Sequence, residues 1–283
     1  MKAAGKTVSN LYDSTTSSYY YTIAQLSSAY TISELTADNI INITQLSAID
    51  SNTGTNIFSV AQMKAASISA ANMKLAFTAG NYTISQIKTG GYTLVDSSVA
   101  GRGLLFESAF SVAELKNDFT AADMFNASVS AVSVKPHYTL SDIISGGYNL
   151  VDTSVPGRGL LFESAFSVAE LKNNFNATQM KTAGVSIDQA RAGTYSLTDL
   201  KDSSYTFTEI TSEYTFIELS RSDGYTVSEM KSENVTAANI KIAFDAENYD
   251  ISQIKAGGYS ITELLAGNFT MTHLSAADGF TAA

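Results

Sequence analysis

The sequence predicts an all-α fold: an elongated solenoid of short single-helix repeats of about ten residues. Three observations predict it. A ten-residue unit recurs along the chain, each copy opens with a full helix-start signal, and the spacing slips by one residue without loss of pattern. The unit reads aromatic, Thr or Ser, any, any, Glu/Gln/Asp, Leu/Ile/Met, often Lys, then a small or Gly-rich tail. Clear copies are YTISELTADN from Tyr30, YTISQIKTGG from Tyr82, YSLTDLKDSS from Tyr195 and YSITELLAGN from Tyr259. Twenty-three units open between Tyr21 and Phe269, and twelve of the 15 tyrosines stand in the opening slot, so the aromatic content is structural.

Each element of the unit has a physical role. The second residue is Ser, Thr, Asn or Asp in every copy, the N-cap set. Three residues on, all copies but those with Asn72, Ser133, Asn239 and His273 carry Glu, Gln or Asp. Cap and acid together form a capping box, in which two orphan backbone N–H groups are satisfied reciprocally. The opening aromatic sits at N′ and the Leu/Ile/Met at N4, the two halves of a hydrophobic staple. Gly91, Gly147, Gly184, Gly224 and Gly258, or Asn81, Asn174, Asn234, Asn248 and Asn268, precede the opening residue of the next unit and suit a left-handed C′ residue.

Helices this short do not survive alone in water, so the units must stack on their neighbours. The alternative is a pentapeptide-like β-solenoid, echoed by AADM (121–124) and AANI (237–240). Units of nine residues (Tyr21 to Tyr30) and eleven (Tyr30 to Ile41) argue against it. A one-residue slip in a strand turns every side chain to the wrong face, whereas a helix linker absorbs it.

The organisation is an irregular segment at 1–20 followed by a continuous array over 21–283. Two units, 92–109 and 148–165, are lengthened to 18 residues and nearly duplicate each other. Their N4 residues are polar, Ser97 and Thr153, so the staple fails where the insertion begins. Gly101-Arg102-Gly103 and Gly157-Arg158-Gly159 have the make-up of an anion-binding turn; the plainer expectation pairs Arg102 with Glu107 and Arg158 with Glu163. Leu104-Leu105-Phe106 and Leu160-Leu161-Phe162 follow, as interaction patches if exposed and as core plugs if buried. Two 14-residue units also match and add Phe77 and Phe244 as extra core. At the ends, Met1–Gly5 matches the tail of a unit and 280–283 the head of one. Met1 and Phe280 are therefore the candidate end-to-end contacts, in a heterologous stacking that propagates into a filament.

Composition narrows function. With 17 Lys+Arg against 27 Asp+Glu, the net charge of −10 disfavours nucleic acid. The absence of cysteine removes thiolate nucleophiles and zinc-thiolate sites. No stretch approaches 18 apolar residues, so no membrane span is expected. His137 and His273 lack the surroundings of a triad, and no phosphate, metalloprotease or calcium motif occurs. No catalytic residue, cofactor or metal is expected. Six N-x-[ST] sequons (Asn42, Asn81, Asn126, Asn176, Asn234, Asn268) arise largely from cap and C′ usage.

From Tyr21 onward the unit resembles the short FTxxELKxAG-type repeats of very large proteins in giant viruses, protists and bacteria. That resemblance implies a scaffold at a virion or extracellular surface. The resulting expectation is a non-enzymatic structural protein that self-assembles (homo-oligomer or filament) or scaffolds a larger particle with other structural proteins. The alternative is a protein- or peptide-binding solenoid module.

Overall fold

The structure, a computed structural model, describes residues 5–13, 18–37 and 41–275. Met1 and Phe280, the expected end contacts, lie outside the described residues. The fold is all-α, with twenty-one short α-helices among the described residues and one small antiparallel pairing of Tyr12–Asp13 with Ser18–Tyr19. The β-solenoid alternative is thereby overturned. The chain divides into two compact units, residues 1–163 and 164–283.

Each helix begins where its cap stands. Thr83 takes extended backbone and accepts from Gln86 N–H at 3.2 Å, while Gln86 accepts from Thr83 N–H at 2.8 Å. The same reciprocal box starts the helices Ile32–Thr36, Val112–Leu115 and Val227–Ser232. Where the third residue is Asn72, Ser133 or Asn239, the cap accepts but no box closes. His273 does the acid's work, its Nδ1 accepting from Thr270 N–H at 3.2 Å.

Two expected helices do not form. Tyr92 and Tyr148 open units in which Thr93 and Asn149 cap nothing, because the chain leaves for the long loops. The left-handed C′ residue is also placed differently in several units. Gly91, Gly147, Gly184, Gly258, Asn234 and Asn268 adopt positive φ, but Gly224, Asn81, Asn174 and Asn248 do not. In the 14-residue units the turn falls one residue earlier, at Gly80 and Glu247. Asn81 and Asn248 are thereby freed to act as amide staples, reaching Ser47 Oγ and Ser220 Oγ, both at 2.8 Å.

Within each compact unit the core is made of N′ and N4 side chains. N4 residues such as Ile87, Met124, Leu200 and Ile254 are fully buried, as is Tyr92 at N′. The first helical residue is buried too in most units, as at Ile32, Ile84 and Val227. In the 14-residue units Ala76 and Ala243 enter the core, whereas Phe77 and Phe244, expected as core, are half-buried against Phe110 and Phe269.

Alternate units are tied together inside each compact unit. Tyr92 Oη donates to the carbonyl of Ile68 at 2.7 Å and Tyr148 Oη to that of Val129 at 2.9 Å. In the second compact unit Tyr205 donates to Val185 at 2.6 Å and Tyr259 to Val235 at 2.5 Å. Every acceptor named here is the opening residue two units back, and alternate helices pack against one another. The aromatic thus buries its ring and satisfies a carbonyl with one side chain.

Candidate functional site

The candidate site is the pair of long loops, and it is built from the failure of a helix. Leu94 and Leu150 are buried in the slot of a first helical residue. Three residues on, Ser97 and Thr153 are exposed, so nothing seals the N4 position from there. The chain loops out and returns to supply the missing residue. Leu104 is fully buried, and its carbonyl accepts from Phe110 N–H at 3.0 Å, as Ile87 does from Tyr92 in an ordinary unit. Leu160 is equally buried in the second loop.

The return is held by backbone pairing and by one ion pair. Leu104 and Leu105 donate N–H to the carbonyls of Thr93 and Leu94, at 3.0 and 3.1 Å. Gly103 is required there, since a Cβ on it would stand 2.8 Å from the Asp96 nitrogen. Asp96 accepts from Ser98 N–H at 2.9 Å and from Arg102 Nε at 2.7 Å, closing the loop on itself. Asp152 does the same with Ser154 at 2.8 Å and Arg158 at 2.5 Å. Arg102 and Arg158 therefore pair with Asp96 and Asp152, not with Glu107 and Glu163 as the sequence reading expects. The acid that would have closed a capping box turns to the arginine once no helix follows. Those hydrogen bonds, with Arg102 and Arg158 foremost, hold both aspartates well below the usual carboxylate range.

The guanidinium groups are consumed by these contacts rather than offered to an anion. Arg158 also donates to the Phe125 carbonyl at 3.2 Å and lies 3.9 Å over the Phe125 ring. The loop backbone docks on the array as well. Gly101 and Gly157 each accept from the first N–H of a helix, Ala70 and Ala131, at 2.8 Å. Of the six apolar candidates, Leu104 and Leu160 are sealed inside. Leu105 and Leu161 are half-buried, and Phe106 and Phe162 are exposed.

A second set of polar residues forms a ladder, whose trace in the repeat is the frequent Lys after N4. The lysine after N4 reaches forward three units, over the opening aromatic and onto its N3 acid. Lys181 lies 4.8 Å from the Tyr205 ring centroid and pairs with Glu209; Lys231 lies 4.4 Å from the Tyr259 ring and pairs with Glu263. Arg191–Glu218 and Lys201–Glu229 repeat the contact, each at 2.7 Å. The lysine hydrogen bonds lower Glu209 and Glu263 to about 2. Burial raises Tyr82, Tyr205, Tyr249 and Tyr259 to about 12. The signal for this ladder is the lysine's fixed place after N4, although Lys241 turns instead to Asp245 of its own helix.

Among the described residues, no group of three or more His, Cys, Asp or Glu side chains converges as metal ligands. Surface grooves recur between units and are walled by repeated positions, as by Lys231, Val235, Tyr259 and Glu263. No described helix is long and apolar enough to cross a membrane. No protein-family model, curated protein or solved structure matches the chain.

Proposed function

We propose that this chain is a non-enzymatic structural repeat protein, one that self-assembles or scaffolds a larger particle or filament through repeated short helices stacked as a solenoid. One observation carries the reading: the polar groups that recur in the sequence are engaged inside the chain, as caps, donors to backbone carbonyls or rungs of the lysine ladder. Carboxylates in this setting are hydrogen-bonded anions, and the buried phenols are neutral donors. Neither is poised for proton transfer near neutrality. The resemblance to FTxxELKxAG-type repeats supports a virion or extracellular surface as the setting. The test is sedimentation of the purified chain across concentrations, with negative-stain imaging of the heavy fractions. Concentration-dependent filaments or rings are expected; a monomer at every concentration contradicts self-assembly.

The binding-module reading keeps one supporting observation, the two exposed phenylalanines of the long loops. They bear on what such a scaffold holds.

A further inference from the structure

We propose that the tips Phe106–Glu107 and Phe162–Glu163 are docking points for a cationic segment of a partner protein that also carries apolar side chains. The inference deepens the scaffold reading, and rests on it, by naming what the loops hold.

The tips are displayed rather than left over. Phe106 is 45% exposed and Phe162 41%. Each ring rests one edge near a glycine, Gly101 or Gly157, where a Cβ would meet ring carbon at 3.5 Å, and stays a little under half exposed. The loops beneath are fixed by the Asp–Arg pair, the backbone return and the docking on Ala70 and Ala131. The ring is therefore preorganised, and a partner need not order it.

The backbone at the tips is held in a costly form. Glu107 and Ser108 have φ of 46° and 56°, and Glu163 and Ser164 have 45° and 57°. Glycine or asparagine would take this left-handed conformation with less strain, yet neither stands there. The two copies differ at the exposed Thr93/Asn149, Ser97/Thr153 and Ala100/Pro156, and share the exposed Val95/Val151 and Ser98/Ser154 and everything from Gly101/Gly157 through the Phe-Glu-Ser tips.

Charge selects the partner. Asp96 and Arg102 neutralise each other, leaving Glu107 as the one uncompensated charge of the first loop, next in the chain to the exposed Phe106. Neither Glu107 nor Glu163 has a hydrogen bond or ion pair. A Lys or Arg entering here meets a carboxylate and the face of a ring together, a cation–π and ion-pair contact, while apolar neighbours cover the phenyl. A second copy supplies this poorly. The chain carries net −10, and its ladder lysines are already engaged. An anionic lipid surface is repelled by the same charge.

The test uses the full chain and three immobilised peptides of equal length, alternating Lys/Leu, Lys/Ser and Glu/Leu. The Lys/Leu peptide is expected to bind at two sites per chain and to weaken as salt rises. Phe106→Ala removes one site. The double variants Phe106→Ala/Phe162→Ala and Glu107→Gln/Glu163→Gln each weaken binding by about tenfold or more, with thermal unfolding unchanged. Failure of the Lys/Leu peptide to bind, equal binding of either other peptide, or indifference to the tip variants overturns the proposal. Two further results overturn it by naming another occupant. One is a change in the chain's own sedimentation on Phe106→Ala/Phe162→Ala, which makes the tips a self-contact. The other is tip-dependent binding to phosphatidylserine vesicles. Sedimentation of the unmodified chain without peptide reports separately on the scaffold reading.

Discussion

At the residue scale, the cap carries more of this fold than its size suggests. Thr139 accepts from Asp142 N–H at 3.1 Å, and the helix it starts, Leu140–Ser145, has six residues. So short a helix recovers little from propagation, and the free energy of its first turn decides whether it forms. Thr139→Ala is expected to cost about 1 kcal/mol. Thr83→Ala should cost a similar amount, since Thr83 heads the same box. Urea titration of the two variants checks this. The phenols are equally local in origin. Tyr82 reaches back two units to the Phe58 carbonyl, and burial raises it from 10.0 to about 12.

At the element scale, the unit is a helix where N4 is apolar and a loop where it is not. Ser97 and Thr153 break the staple, and Leu104 and Leu160 restore the plug from downstream in the chain. The close backbone return this requires makes a sharp prediction for Gly103. Its added Cβ would meet the Asp96 nitrogen, the Leu94 carbonyl and Val95 Cα at 2.8–3.0 Å. Gly103→Ala should therefore destabilise by about 1–3 kcal/mol, as overpacking does, measured by thermal unfolding. Gly184→Ala is the contrast: a Cβ there meets nothing within 4 Å, so only the backbone strain of its φ of 85° remains.

The helices were legible in the sequence because cap, box and staple are all local, lying within six residues of one another. The loop contacts were not legible, for a physical reason. Asp96 had two partners open to it, the capping box and Arg102, and the sequence alone does not say that the helix is lost. Once it is lost, Asp96 sits six residues from Arg102 and takes the pair that had been expected for Glu107. The lysine ladder was hidden for a different reason. Its contacts span 27 to 40 residues, as with Arg191–Glu218 and Lys74–Glu114, and depend on how units pack. The burial of the first helical residue was within reach, because Ile, Val, Leu or Ala fills that slot in most copies.

At the scale of the whole molecule, repetition makes the titration of one residue type collective. Glu209 and Glu263 are lowered from 4.5 to about 2 by their lysines. Their contribution to stability is present above pH 4.5 and lost as the pH falls through 2. The tyrosines act in the opposite sense. Tyr82, Tyr205, Tyr249 and Tyr259 are raised from 10.0 to about 12, so their contribution is present below pH 10 and lost as the pH climbs toward 12. Helix content against pH should hold a plateau between these limits and fall outside both. A loss of helix between pH 5 and 9 would contradict the ladder and the buried phenols together.

The central claim is that each unit is a capped short helix and that the two long loops replace a helix by docking on the array. Residue-resolved amide hydrogen exchange tests it most directly. First helical N–H groups have no acceptor within their own helix, so those of Ile84, Val227 and Ile251 should exchange quickly while the N4 amides of Ile87, Met230 and Ile254, bonded to their caps' carbonyls, are protected. Ala70 and Ala131 should depart from that rule, since their N–H groups donate to Gly101 and Gly157. Protection at Ala70 and Ala131, against fast exchange at the other first positions, is the predicted result. Uniform or alternating protection through the first helical positions, or fast exchange at Ala70 and Ala131, would contradict it.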